Sequence, residues 1–212
     1  VTAPKWFPDW RGADCAIVAS GPSVTKPDVL MLKNRVRVIA IKKNVDLAPW
    51  ADVVYGCDAA WWRNVAGLPN YHGLKICATA RGISETFREV RLVTVQAALD
   101  KLLLDEPGVI GSGGNSGFQA LNLAVQWGAK RILLLGFDVD ARAGVHWYGR
   151  NSGPGRSNPD ELNFRRWRLA FASTVGELDR RGVVVVNAAA ASSLSCFPRA
   201  SVADTLTVWA RG

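Results

Sequence analysis

Residues 19–23 read Ala-Ser-Gly-Pro-Ser and join a strand-like run to a helix-like one. At such a junction the unpaired backbone N–H groups and the helix dipole favour an anion, and a glycine lets the chain approach it closely. Gly21, Pro22 and Ser23 are therefore candidate nucleotide contacts; the plain alternative is a tight turn with Ser23 or Thr25 capping the helix. The turn is neither a Walker A motif nor a G-x-G-x-x-G fingerprint, which speaks against ATPase and NAD-binding readings. A second loop, Gly111 to Gly117, offers four glycines and three small polar side chains ahead of an apolar helix. That exceeds what a helix cap requires, so Ser112, Gly113, Gly114, Asn115 and Ser116 are candidates for a second phosphate or sugar contact. Gly136-Phe137-Asp138 closes the following strand-like run and adds Asp138 to the set.

Acid–base chemistry has two candidates. His146 lies in a polar, glycine-rich stretch rather than an apolar run, so it reads as a general base or as a plain exposed histidine. Asp58 follows Tyr55-Gly56-Cys57 at a strand end, where it either meets a ligand or solvent. Asp138-Val139-Asp140 has the D-x-D pattern that holds Mg²⁺ or Mn²⁺ on phosphates, or else Asp138 caps the loop and Asp140 is solvated. The four cysteines, Cys15, Cys57, Cys77 and Cys196, stand singly without C-x-x-C spacing and read as reduced core residues. With only two histidines in the chain, no metal ligand set is expected.

The charge balance is 26 Lys plus Arg against 18 Asp plus Glu, a net +8, which suggests an anionic partner. Arg142, Arg150, Arg156 and Arg165 are interleaved with Trp147 and Tyr148, the mixture that tracks a phosphate backbone and stacks an exposed base. These six are the candidate contacts to an anionic acceptor or nucleic acid, against the reading of a solvated charged face. Trp61-Trp62-Arg63 either stacks a base or sugar or simply packs.

The elements that must position these residues alternate. Strand-like runs at 15–20, 36–41, 52–55, 75–78, 90–95, 131–136 and 183–186 are separated by helix-like spacing at 26–33, 96–104, 118–127 and 160–181. The strands are nearly all apolar, which argues for a mostly parallel sheet covered by helices on both faces: a single Rossmann-like α/β domain spanning 1–212. Residues 141–159 are rich in Gly, Pro and Asn, without periodicity, and read as an active-site loop that closes over a substrate. At 49% hydrophobic and 21% charged the chain is not disordered, and its apolar runs are far shorter than the roughly 20 residues needed to cross a bilayer. No charged-then-apolar leader is visible, so the expectation is a soluble, cytoplasmic protein; the chain begins at Val1 rather than Met, which leaves a removed targeting segment open.

Taken together, Ala16 to Ser23, Asn44, Asp58, Gly113-Gly114-Asn115-Ser116-Gly117 with Ala120 and Ala124, Gly128-Ala129-Lys130 and Leu135-Gly136-Phe137-Asp138 resemble a known superfamily. It joins bacterial sialyltransferases, flagellin-modifying Maf-type proteins, archaeal hydroxymethylpterin diphosphokinases and phage-encoded relatives. The resemblance extends to Asn187, Ser193 and Cys196-Phe197-Pro198. It implies a nucleotide-dependent transferase in which Gly21, Ser23 and Asn44 hold the nucleotide, Ser112 to Ser116 its phosphate or ribose, and His146, just before the long helix, acts as base. The residues around His146 differ from the sialyltransferase pattern. The favoured expectation is a glycosyltransferase moving a sugar from a nucleotide-sugar donor to a hydroxyl of an anionic acceptor, with a hydroxymethylated base in phage-type DNA as one such acceptor. Its rivals are an ATP- and Mg²⁺-dependent diphosphokinase acting on a hydroxymethylpterin-like alcohol and a non-catalytic nucleotide or nucleic-acid binding protein.

Overall fold

The computed structural model describes residues 2–152 and 158–211. Eight strands, β1 (Asp14–Val18), β2 (Arg37–Ile41), β3 (Val53–Gly56), β4 (Leu74–Ala78), β5 (Val90–Gln96), β6 (Val109–Gly111), β7 (Arg131–Leu135) and β8 (Val184–Asn187), form one sheet. Its order is β6-β5-β4-β3-β2-β1-β7-β8, and every pairing is parallel, so the expected mostly parallel sheet is wholly so. The strands read as continuous apolar runs because both faces are covered. In β1, Cys15 and Ile17 point into one core while Ala16 and Val18 point into the other.

One face is covered by α4 (Ser116–Gln126) and α5 (Glu161–Arg180), whose Phe118, Leu121, Phe164, Phe171 and Leu178 fill the first core. Helices α1 (Lys26–Met31), α2 (Ala59–Asn64), α3 (Ile83–Thr86) and α6 (Val202–Trp209) cover the other through Val29, Trp62, Ile83 and Leu206. The long helix starts on a capping box between Asp160 and Asn163, as the residue types at its start suggest.

The helix expected over 96–104 is absent: Gln96 ends β5 and the rest is an irregular strap. Its backbone is claimed from the side by α4, where Asn122 accepts from Leu103 N–H (2.9 Å) and donates to Leu103 C=O (2.8 Å), and Gln126 donates to the same carbonyl (2.8 Å). Leu99 C=O accepts from Ser112 N–H (2.7 Å). With these groups bonded across the fold, an i→i−4 ladder has no partners left. The strap leads into the short β6, so the second glycine loop follows a strand.

The chain runs outward from β1 to β6, then returns through α4, which packs beneath β3, β2 and β1, to β7 on the other side of β1. Strand order therefore reverses between β1 and β7, and the C-terminal strand ends there form the crevice where such sheets place ligands. No helix among the described residues is long and apolar enough to cross a membrane.

Candidate functional site

Three groups of side chains meet this C-terminal edge. In the first, the turn after β1 lies directly against the turn after β7. Gly21 N–H donates to Gly136 C=O (2.9 Å), and a Cβ on Gly21 would overlap both that carbonyl and the Asp138 carboxylate. Asp138, which is buried, accepts from Ser23 N–H (3.2 Å) and Ser23 Oγ–H (2.8 Å). The donors that the sequence offers to a phosphate thus already hold a carboxylate of the protein. The cap of α1 is Thr25, whose hydroxyl accepts from Asp28 N–H (3.2 Å). Behind Asp138 the turn is braced by Ser192, whose hydroxyl donates to Phe137 C=O (2.5 Å), and by Asn187, whose amide reaches the same carbonyl (3.3 Å).

The second group links that turn to the loop after β7. Asn44, fully buried in a 3₁₀ turn after β2, donates to Ser20 Oγ (2.8 Å) and Ile41 C=O (2.7 Å), and its carbonyl accepts from Trp147 Nε1–H (2.9 Å). Trp147 N–H donates to Ser20 C=O (2.9 Å). Asn44 is therefore a pin for the loop with both amide hydrogens engaged, and Trp147, expected at an acceptor, is the side chain it pins.

The third group centres on Lys42, which no motif of the sequence singles out. Lys42, the first residue of the 3₁₀ turn after β2, has φ +50° and forms an ion pair with Asp58. Its stem crosses Gly56, where a Cβ would sit 3.2 Å from Lys42 Cγ. Beside it Ser116, the first residue of α4, donates its hydroxyl to Cys57 Sγ (3.2 Å). From the loop, His146 stacks on Tyr148 (4.9 Å between centroids, 22°), Lys43 Nζ lies 4.7 Å above the Tyr148 ring, and Asn151 Nδ2 is 3.2 Å from His146 Nε2.

The electrostatics of this group are mutually consistent. Burial pushes the Cys57 thiol above its ordinary value, so it is neutral near neutral pH. Burial opposes the charge on Lys42, yet its neighbours, Cys57 and then Asp58 foremost, raise its value above the ordinary one; with Cys57 a neutral thiol, Asp58 is the operative anion. His146 is lowered below 6.5, first by burial and then by the Lys42 charge, so its imidazole is neutral and able to accept a proton.

The second glycine loop is directed elsewhere. A Cβ on Gly113 (φ +52°) would overlap the buried Phe118 ring, and one on Gly114 (φ +70°) would press on Arg166 and Trp167. Trp167 Nε1–H donates to Gly114 C=O (2.9 Å). Arg166 clasps Asp100 (2.8 and 2.9 Å), holding that carboxyl below its ordinary value together with the Gly113 N–H. Asn115 caps α4 through Phe118 N–H (2.8 Å), and Ser112 C=O accepts from Gln119 (3.0 Å). Of the loop's five expected contacts, only Ser116 joins the Lys42 group.

The D-x-D carboxylates diverge. Asp138 turns to Ser23, whereas Asp140 accepts from Arg142 (2.7 Å) and Ser193 Oγ (2.8 Å), which hold it well below the usual carboxylate range. Among the described residues no three acidic, His or Cys side chains gather to hold a metal. Arg142 lines a polar cleft with Asp140, Glu161, Arg168 and Ser193, and Arg150 and Arg165 are exposed. Arg156 lies outside the described residues. Trp62 is buried with its Nε1–H on Gly56 C=O (2.8 Å) and Trp61 packs edge-on against it, so this pair belongs to the core.

No family model and no curated protein sequence matches the chain. By structure, the all-parallel sheet and its helices define an α/β domain of Rossmann-like fold. It is similar to the Campylobacter jejuni sialyltransferase CstII, solved in complex with a substrate analogue, cytidine 5′-monophosphate: the TM-score is 0.58 over 90% of this chain and 86% of that one, at 12% identity. The likeness is one of fold. It bears on a sialyltransferase-like fold and not on the Maf-type, diphosphokinase or phage-type branches.

Proposed function

We propose that the chain is a glycosyltransferase that takes a sugar from a pyrimidine nucleotide-sugar and passes it to a hydroxyl of an anionic acceptor. The observation that carries this reading is the Lys42–Asp58 ion pair at the C-terminal strand ends, with His146 stacked on Tyr148, over whose ring the adjacent Lys43 lies. The fold likeness to a sialyltransferase held with a cytidine nucleotide supports the donor class. The donor lies across the crevice bounded by the Gly21 turn and Ser116, under the loop that Asn44 pins through Trp147. In the transfer step the acceptor oxygen bonds to the anomeric carbon and the bond from that carbon to the phosphate oxygen breaks. The electron pair leaves with the phosphate, and the acceptor proton passes to His146, with Asp58 as the other group in reach of the crevice. The exposed Arg142, Arg150 and Arg165 suit an acceptor bearing negative charge.

The test is thermal stabilisation by CMP, UDP, GDP and ATP, each with and without Mg²⁺, because a ligand that binds only the folded state raises its melting temperature. A metal-independent rise with a pyrimidine nucleotide is expected; a rise only with ATP and Mg²⁺ would transfer the assignment to a diphosphokinase, and no rise with any of them would leave a fold without the chemistry. If the acceptor is a hydroxymethylated base in DNA, binding to such DNA falls steeply with added salt, and salt-insensitive or absent binding removes DNA from the proposal.

A further inference from the structure

We infer that Lys42 is the residue that receives the phosphate of the donor nucleotide. This deepens the transferase reading above and rests on it. The glycine turn after β1 is the place a sequence argument assigns to the phosphate, but its Ser23 N–H and hydroxyl are bonded to Asp138, and an incoming phosphate would meet that carboxylate as a like charge. Lys42, which follows β2, brings an ammonium to the same sheet edge.

Its conformation is the first observation. At φ +50° Lys42 occupies the left-handed region that a side chain with a Cβ disfavours, and the strained turn sends its stem across Gly56 at the end of β3.

The pairing of its charge is the second. Among the described residues the ammonium is hydrogen-bonded by Asp58, and the Asp58 side chain is 54% exposed while that of Lys42 is 31% exposed. An ion pair that opens to solvent is one that a phosphate can enter, taking over the ammonium while water takes over the carboxylate.

Third, the surroundings match the reaction. His146 stacks on Tyr148, over whose ring the adjacent Lys43 ammonium lies, and Ser116 bonds Cys57 next to Asp58, so a phosphate seated on Lys42 brings its sugar to the loop that carries His146. When the sugar–phosphate bond breaks, negative charge grows on the phosphate oxygen, and an ammonium fixed there stabilises it most in the transition state.

The experiment is titration calorimetry of CMP and of cytidine on the wild-type chain, on Lys42→Gln and on Lys42→Arg, with cytidine reporting any general loosening of the site. In the wild type CMP is expected to bind about 10- to 100-fold more tightly than cytidine, the range for a charge-assisted phosphate contact. Lys42→Gln brings the ratio close to one with cytidine unchanged, and Lys42→Arg keeps most of it. Asp58→Asn, which removes the competing anion, raises CMP affinity several-fold and leaves cytidine alone; it decides the matter even if Lys42→Gln does not fold. A wild-type ratio near one, a ratio that survives Lys42→Gln, or no gain in Asp58→Asn each overturns the role of Lys42 while leaving a nucleotide-binding transferase in place. Absence of binding by either ligand to the wild type overturns the transferase reading as well.

Discussion

The turn after β1 and the loop before α4 are both glycine-rich and both end at the same sheet edge, yet their glycines answer to different neighbours. At the first, Gly21 and Gly136 let two turns touch backbone to backbone, and a Cβ on Gly136 would overlap Ala19 C=O. The space left is filled by a carboxylate, and the turn's Ser20 holds Asn44 and, through it, the loop that carries His146. At the second, Gly113 and Gly114 make room for Phe118 and for the Trp167 and Arg166 side chains of α5. One turn shapes the crevice; the other seats a helix under it. A glycine records that something comes close, and only the partner says whether the closeness serves chemistry or packing.

This contrast can be tested by changes that strike one side and spare the other. The largest expected effect is His146→Ala, which lowers turnover by about 10² to 10⁴-fold, the span of general-base catalysis, while CMP affinity and melting temperature hold. Unchanged turnover would remove His146 from the mechanism. The pH profile sharpens the same point. The folded value of His146 lies below its unfolded 6.5, so activity and its share of stability are fully present above 6.5 and are lost as pH falls through the lowered value. A profile that instead falls on the alkaline side would contradict a neutral base.

Next in size is Gly113→Ala, which adds left-handed strain to an overlap with a buried ring and should cost about 3 kcal/mol in urea unfolding. Whatever protein remains folded at low temperature should bind CMP with near wild-type affinity; a specific loss of CMP affinity would mean that this loop touches the donor after all. Smallest is Asp138→Ala, which leaves the Ser23 N–H and hydroxyl without their acceptor at a cost of about 2 kcal/mol. It also turns the first turn into an open anion seat, so inorganic phosphate should stabilise this variant more than the wild type.

Much of the scaffold is legible in the chain itself. Apolar runs mark seven of the strands, Gly128 and Gly182 mark helix ends with the positive φ such stops need, and Asn115 and Asp160 cap the helices they precede. Helix α6 carries a readable signal too, Ser201 as cap with Val202, Leu206 and Trp209 along one face. The segment 96–104 misleads because Ala97, Ala98, Leu99 and Leu102 have helical spacing, while the groups that claim its backbone, Asn122 and Gln126, lie some 20 residues away.

For the site, the residue types decide which chemistry is on offer: a histidine in a polar loop, carboxylates at strand ends, small turns that can approach a ligand. Tertiary structure alone decides which of them meet. It draws Asp138 into the turn that looked made for phosphate, ties up both amide hydrogens of Asn44, and pairs Lys42 with Asp58 at the sheet edge. The physical reason is range. Capping and apolar periodicity act over a few residues and are written in the local sequence, whereas the contacts that assign these roles join positions 16 to 115 residues apart and exist only once the parallel strands bring their ends to one edge.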